Sequence, residues 1–262
     1  MWTRLLRVAV LLLAIGLWAP PAHAQIAFRS GAKSAWATQA SVTVTRPTGT
    51  VDGDLLYAYI SAENVPTIST PSGWQADASF VNGAVFRCAV FTKVANGEGA
   101  GGWTWTLGAS TWSGGIVLAA SGGATTSWVD AVGAGSTGSA SLMTAASISP
   151  TESTDLLVYG ATDFATSAHT APTGMSSDTN LSNGESVVYY QVLSSSGATG
   201  TREPGTNATG TWGAVLIALK AAAGGGGAPP KKLLLLGVGG EVAMLVPVLP
   251  EAAPLGRREG SL

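Results

Sequence analysis

The chain predicts an all-β fold, a jelly-roll-like antiparallel β-sandwich built from two pseudo-repeated halves, on three observations. The first is composition: the centre of the chain is rich in Gly, Ser, Thr, Ala and Val and poor in the Leu, Glu, Lys and Arg that cover helix surfaces. The second is rhythm, because short β-forming runs recur between turn clusters with no helical period between them. The third is self-similarity. Asp54-Leu55-Leu56-Tyr57 returns as Asp155-Leu156-Leu157-Val158, and Pro71-Ser72-Gly73-Trp74 as Pro172-Thr173-Gly174-Met175, both 101 residues later. Ala84 to Phe91 answers to Ser186 to Leu193 at an offset of 102, and Thr111-Trp112 to Thr211-Trp212 at 100.

The expected strands follow in order: Ser41–Thr45, Leu55–Ser61, Gln75–Phe80, Ala84–Val94, Trp103–Leu107, Gly114–Ala120, Ser139–Ser147, Leu156–Thr162, Ser186–Ser194 and Trp212–Leu219. In the second of these, Leu55, Tyr57 and Tyr59 alternate with Leu56, Ala58 and Ile60, so both faces are apolar, as in a central strand. Each half supplies about four strands, and a lone four-stranded sheet leaves one apolar face bare. Two halves, about 40–123 and 143–223, cover each other, related by a pseudo-twofold or pairing strand for strand.

The ends read differently from the middle. Arg4 and Arg7, the apolar run Val8 to Trp18, and Ala22-His23-Ala24 have the form of a secretory signal peptide, residues 1–24. The sandwich is expected over 25–223, followed by a Gly/Pro linker, 224–232, and an apolar C-terminal tail, 233–262, interrupted by Glu241 and Pro247 and ending near Arg257-Arg258. That tail is expected to contact a membrane or a partner protein. The expected location is secreted or cell-surface.

The stretch Val42 to Leu56, with Pro71-Ser72-Gly73-Trp74, Ala89 to Val94 and Trp112-Ser113-Gly114-Gly115, resembles a β-sandwich domain that recurs in phage virion and tail-associated proteins and in secreted bacterial proteins. The resemblance spans roughly Ser41 to Lys220. It implies a fold and an extracellular setting, or a virion if the chain is phage-encoded, rather than a reaction.

Charge and motifs narrow the function. Arg29 to Lys220 holds seven basic against twelve acidic residues, so the basic face that nucleic acid requires is missing. The one cysteine, Cys88, alternates within an apolar run and is expected to be a buried, inert thiol. Asp52-Gly53-Asp54 could offer oxygens to calcium, but Asp52 is Ser153 in the second half. A turn whose aspartates accept backbone hydrogen bonds is therefore preferred, and no metal or cofactor is expected. The mature chain has one histidine, His169, with Asp163 nearby and no motif of a known hydrolase.

Aromatic residues are the remaining signal. Trp112 and Trp212 recur in both halves and are assigned to the core. Trp103 and Trp105, two indoles on one strand face, have no aromatic counterpart and are the candidate ligand-binding residues, a platform for stacking sugar rings. The expectation is an exported, non-catalytic module acting in binding or adhesion at a surface, with a glycan or a surface protein as partner. The alternatives are a structural component of a phage virion or surface assembly and, more weakly, a secreted hydrolase.

Overall fold

The computed structural model describes residues 25–164 and 168–223, which belong to one structural unit; the leader, linker and tail read from the sequence lie outside the described residues. The first half forms β1 (Ala27–Lys33), β2 (Ala37–Thr45), β3 (Leu55–Glu63), β4 (Gln75–Asn82), β5 (Phe86–Val94) and β6 (Gly102–Ser121). The second forms β7 (Val129–Val132), β8 (Ser136–Leu142), β9 (Leu156–Asp163), β10 (Ser186–Val192) and β11 (Gly205–Leu219), with a short 3-10 turn at Thr179–Leu181. All pairings are antiparallel, and each half makes its own sheet. In the first the order is β1-β6-β3-β5-β4, with β2 continuing β1 along β6. In the second it is β7-β11-β9-β10, with β8 continuing β7 along β11. The two sheets pack face to face as a β-sandwich.

Register makes the repeat visible as structure. Leu55 faces Val94 and Ala120 in one half, and Leu156 faces Val192 and Leu219 in the other. Even the irregularities recur. The ladder of β2 on β6 jumps from Thr106 to Thr111, and that of β8 on β11 from Gly205 to Gly210. A bulge leaves Arg29 unpaired between Phe28 and Ser30, and another leaves Asp130 unpaired between Val129 and Ala131. Trp74 N donates to Pro71 O (3.2 Å) and Met175 N to Pro172 O (3.0 Å), with Gly73 at φ +79° and Gly174 at φ +81°. A turn with that φ at its third position requires glycine, which is why Pro-x-Gly survives in both copies.

These registers correct two offsets. Since Val94 corresponds to Val192, β5 and β10 are 98 residues apart, not 102. A slip of four is even, so the apolar alternation looks the same either way. Since Ala120 corresponds to Leu219, β6 and β11 are 99 apart, not 100. That slip of one puts Trp112 and Trp212 on opposite faces. Trp212 is buried (7 % exposed), whereas Trp112, expected in the core, is 49 % exposed.

The core has three layers. Leu55, Tyr57 and Tyr59 of β3 meet Leu156, Val158, Val188 and Val215 between the sheets. On the opposite face of β3, Leu56, Ala58 and Ile60 pack under Val42, Val44, Trp103 and Trp105, because β2 and the first half of β6 lie over that face. Leu157, Tyr159 and Ala161 of β9 pack likewise with Met143, Ala145 and Trp212. Fully burying a large apolar side chain contributes about 1.5–3 kcal/mol, whereas ordering each backbone residue costs about 1–2 kcal/mol. A strand buried on one face therefore roughly breaks even, and β3 and β9, buried on both, anchor the fold. Gly160 stands where the first copy has Tyr59, and a Cβ there would meet Tyr57 Oη at 2.3 Å. Cys88 is buried, and burial pushes its thiol up to about 12.

Several strands differ from expectation: β2 and β11 begin at Ala37 and Gly205 rather than at Ser41 and Trp212, and β8 runs Ser136–Leu142 rather than Ser139–Ser147. β1 and β7 have mixed sequences, AFRSGAK and VDAV, that show no alternation, because edge strands need no continuous apolar face. The runs Trp103–Leu107 and Gly114–Ala120 form one 20-residue strand, β6, and the small residues between them, Gly108-Ala109-Ser110, are the repeated ladder irregularity rather than a turn.

Candidate functional site

Trp103 and Trp105 are not an exposed platform. Trp105 is fully buried and Trp103 is 9 % exposed, because Trp74 wedges edge-on between them, at centroid distances of 5.1 Å to Trp103 and 5.3 Å to Trp105. Trp103 Nε1 also donates to Glu98 Oε2 (3.1 Å). They pair across the ladder with Val44 and Val42, inside the private core of the first copy. Asp52 and Asp54 accept backbone hydrogen bonds: Asp52 Oδ1 from Gly97 N of the loop after β5 (2.8 Å), and Asp54 Oδ2 from Val51 N within its own turn (2.9 Å). Asp54 also binds Arg29 at 2.7 Å. Among the described residues, no three His, Cys, Asp or Glu side chains form a group that could hold a metal ion.

The copies diverge most after the Pro-x-Gly turn. In the first copy the chain continues as β4, eight residues paired along β5. In the second, the equivalent pairing shrinks to two isolated bridges, Ser176–Tyr190 and Ser182–Val187, and residues 177–184 form the 3-10 turn and a loop. Asp178 starts the turn by accepting from Asn180 N (2.8 Å). Leu181 then enters the shared core, and Lys33 Nζ of the first copy holds the loop through Thr179 O (2.8 Å) and Ser182 O (2.5 Å).

A recess of about 590 Å3 opens here between the copies, lined by Lys33, Ser34 and Ala35 from one side and Thr179, Ser182 and Asn183 from the other. Ser34 Oγ accepts from Gly115 N (2.9 Å). Gly114 has no side chain, and a Cβ there would come within 2.8 Å of the Trp36 ring and 2.5 Å of Asn183 Nδ2. Glycine thus lets an indole and an amide lie side by side on β6. Trp36 is partly exposed and meets Phe164 edge-on at 5.7 Å, and Phe164 meets the buried Phe86 at 4.9 Å.

Asn183 is the telling residue. Its counterpart is Asn82, 101 residues earlier, and each precedes a glycine with positive φ, Gly83 and Gly184. Asn82 Nδ2 donates across the sandwich to Gly138 O (3.0 Å) and Trp212 O (3.1 Å). The position matching Trp212 in the first copy is Ser113, whose carbonyl instead accepts from Gln39 Nε2 (3.1 Å). Asn183 Oδ1 accepts from Ser186 N (2.9 Å), which fixes the amide's orientation, and its Nδ2 is buried without an acceptor among the described residues. An unpaired buried donor costs about 1–3 kcal/mol. The sequence carried a trace of this in the repeated Asn-Gly, but not the loss of the acceptor to Gln39.

On the far side of the 3-10 turn, a second cavity of about 220 Å3 is lined by His169, Ser177, Asp178, Ser182 and Tyr189. The His169 side chain is 2 % exposed, with Nε2 4.0 Å from Asp163 Oδ2, and burial lowers its pKa. Among the described residues neither ring nitrogen has a hydrogen-bond partner. Compared with protein-family models, curated proteins and solved structures, the chain matches none.

Proposed function

We propose that this is an exported, non-catalytic module that binds a ligand at a surface through the recess between its two copies, and that the ligand is a glycan. The observation that carries this reading is Asn183, whose buried amide donor has no acceptor among the described residues and lies beside Trp36. A planar amide next to an indole face suits a sugar ring, whose hydroxyls accept hydrogen bonds while its C–H face stacks. Lys33 and Ser34 add donors on the same wall. Export rests on the leader-like sequence of residues 1–24.

The test is a glycan array probed with the full-length protein and with Asn183→Asp, which keeps the acceptor for Ser186 N but removes the donor. At least one glycan should be retained by the wild type, and the variant should bind it about tenfold or more weakly. No glycan retained, or equal binding by both, overturns the reading. Capture into an assembled particle without glycan binding would favour the structural alternative instead.

A further inference from the structure

The two bulges, Arg29 and Asp130, are the same position in the repeat, 101 residues apart, and each meets the aspartate that begins the next central strand. In the first copy the result is an ion pair, Arg29 to Asp54 at 2.7 Å. In the second, a carboxylate replaces the guanidinium: Asp130 stands where Arg29 does and Asp155 where Asp54 does, and Asp155 Oδ2 is buried without a hydrogen-bond partner among the described residues. The Asp130 side chain is 3 % exposed and Asp155 is fully buried. Two neighbouring buried carboxylates cannot both carry charge without a large penalty. Lys220 answers Asp130 at 3.3 Å, and we propose that the second copy takes from solution the further cation that Asp155 needs, a proton shared by Asp130 and Asp155, which clamps the end of β11.

The surroundings say which carboxyl holds the proton. Burial opposes charge on Asp130, yet the Thr151 hydroxyl (2.8 Å) and backbone N–H, the Asp155 carboxyl and Lys220 (3.3 Å) together draw it down to about 2. Burial raises Asp155, the contact with Asp130 raises it further, and Glu152 adds repulsion, to about 7, against one backbone donor, Ala221 N at 3.3 Å. The facing charged groups are thus Asp130 on β7, Glu152 before β9 and Lys220 after β11. The proton resides on Asp155 and is donated to the Asp130 carboxylate; as pH rises it passes to water and leaves two facing anions.

The sign follows from linkage. The folded Asp155 keeps its proton to about pH 7 whereas the unfolded chain loses it near the ordinary value of 3.8, so between these values stability falls as pH rises. The first structure to loosen is the one that touches the pair. Lys220 N donates to Trp128 O (2.8 Å), Ala221 N to Asp155 Oδ1, and Ala222 N to Gly122 O (2.8 Å), which ties the last described residues to the sandwich.

Amide hydrogen exchange at Ala221 and Ala222 of the full-length protein, corrected for intrinsic exchange, tests this. Protection there should fall by about tenfold between pH 6 and pH 8. Asp155→Asn, which mimics the protonated acid, and Asp130→Arg, which rebuilds the first copy's ion pair, should each abolish the fall. Asp130→Asn should move its midpoint down by about one pH unit or more. A flat wild-type profile, or an unmoved midpoint in Asp130→Asn, overturns the proposal. So does millimolar calcium chloride restoring protection at pH 8, since the cation would then be a metal ion.

Discussion

Asn82 and Asn183 occupy one position in a repeated design and end in opposite states. Asn82 spends both amide protons on carbonyls of the facing copy, so it is a strut. Asn183 keeps its donor unspent because Gln39 has taken the matching carbonyl, and beside it β4 has given way to a loop. The same contrast governs the other end of the sandwich, where Arg29 and Asp130 replace each other. Duplication supplies two scaffolds with the same constraints, and a position that one copy uses for stability is open to other work in the second. What is shared marks structure, and what is broken marks the candidate sites.

The comparison can be broken at three places. The largest effect concerns the tryptophans. If β6 and β11 stand 99 apart, Trp212→Ala should cost about 3–5 kcal/mol and Trp112→Ala about 0.5 kcal/mol or less, measured by urea unfolding. Equal costs would restore the offset of 100 and undo the register. The asparagines come next. Asn82→Asp sets a carboxylate against two carbonyls and should cost about 2 kcal/mol, whereas Asn183→Asp should cost less than half of that. If the two cost the same, Asn183 is a strut as well. The smallest effect is that of His169, which has no histidine opposite it in the first copy. Its folded pKa is lowered by burial, so the unfolded chain protonates first, near the ordinary 6.5, and stability falls as pH drops below that value. His169→Leu should flatten this acid slope between pH 7 and pH 5 without altering the opposite slope assigned to Asp155. An unchanged slope would remove His169 from the account.

Much of the architecture was legible in the sequence, and the exceptions share a cause. The two-faced strand Leu55–Ser61 and the Pro-x-Gly turns were readable because alternation and φ are local properties. The displacement of β10 by four residues was invisible because even slips preserve alternation, and the one-residue error at Trp112 reversed a face assignment. Trp103 and Trp105 looked free because pattern reports which face a residue is on, not what covers it. Their cover includes Trp74 and the bend of their own strand back over β3. The unpaired amide of Asn183 depends on Gln39, 144 residues earlier in the chain. No single-sequence pattern carries that dependence.

The apolar layer shared by the sheets has a consequence for how the halves are joined. Neither copy can cover Leu55, Tyr57 and Tyr59, or Leu156 and Val158, by itself, so either half alone would have to find a second chain to pair with. The seven residues 122–128 between β6 and β7 act as a tether that turns this association into an intramolecular step. A short connection of that kind sets an effective concentration of about a millimolar. The sandwich is thus in energetic terms a dimer whose dissociation constant has been traded for a loop, and opening that loop would make its stability depend on protein concentration.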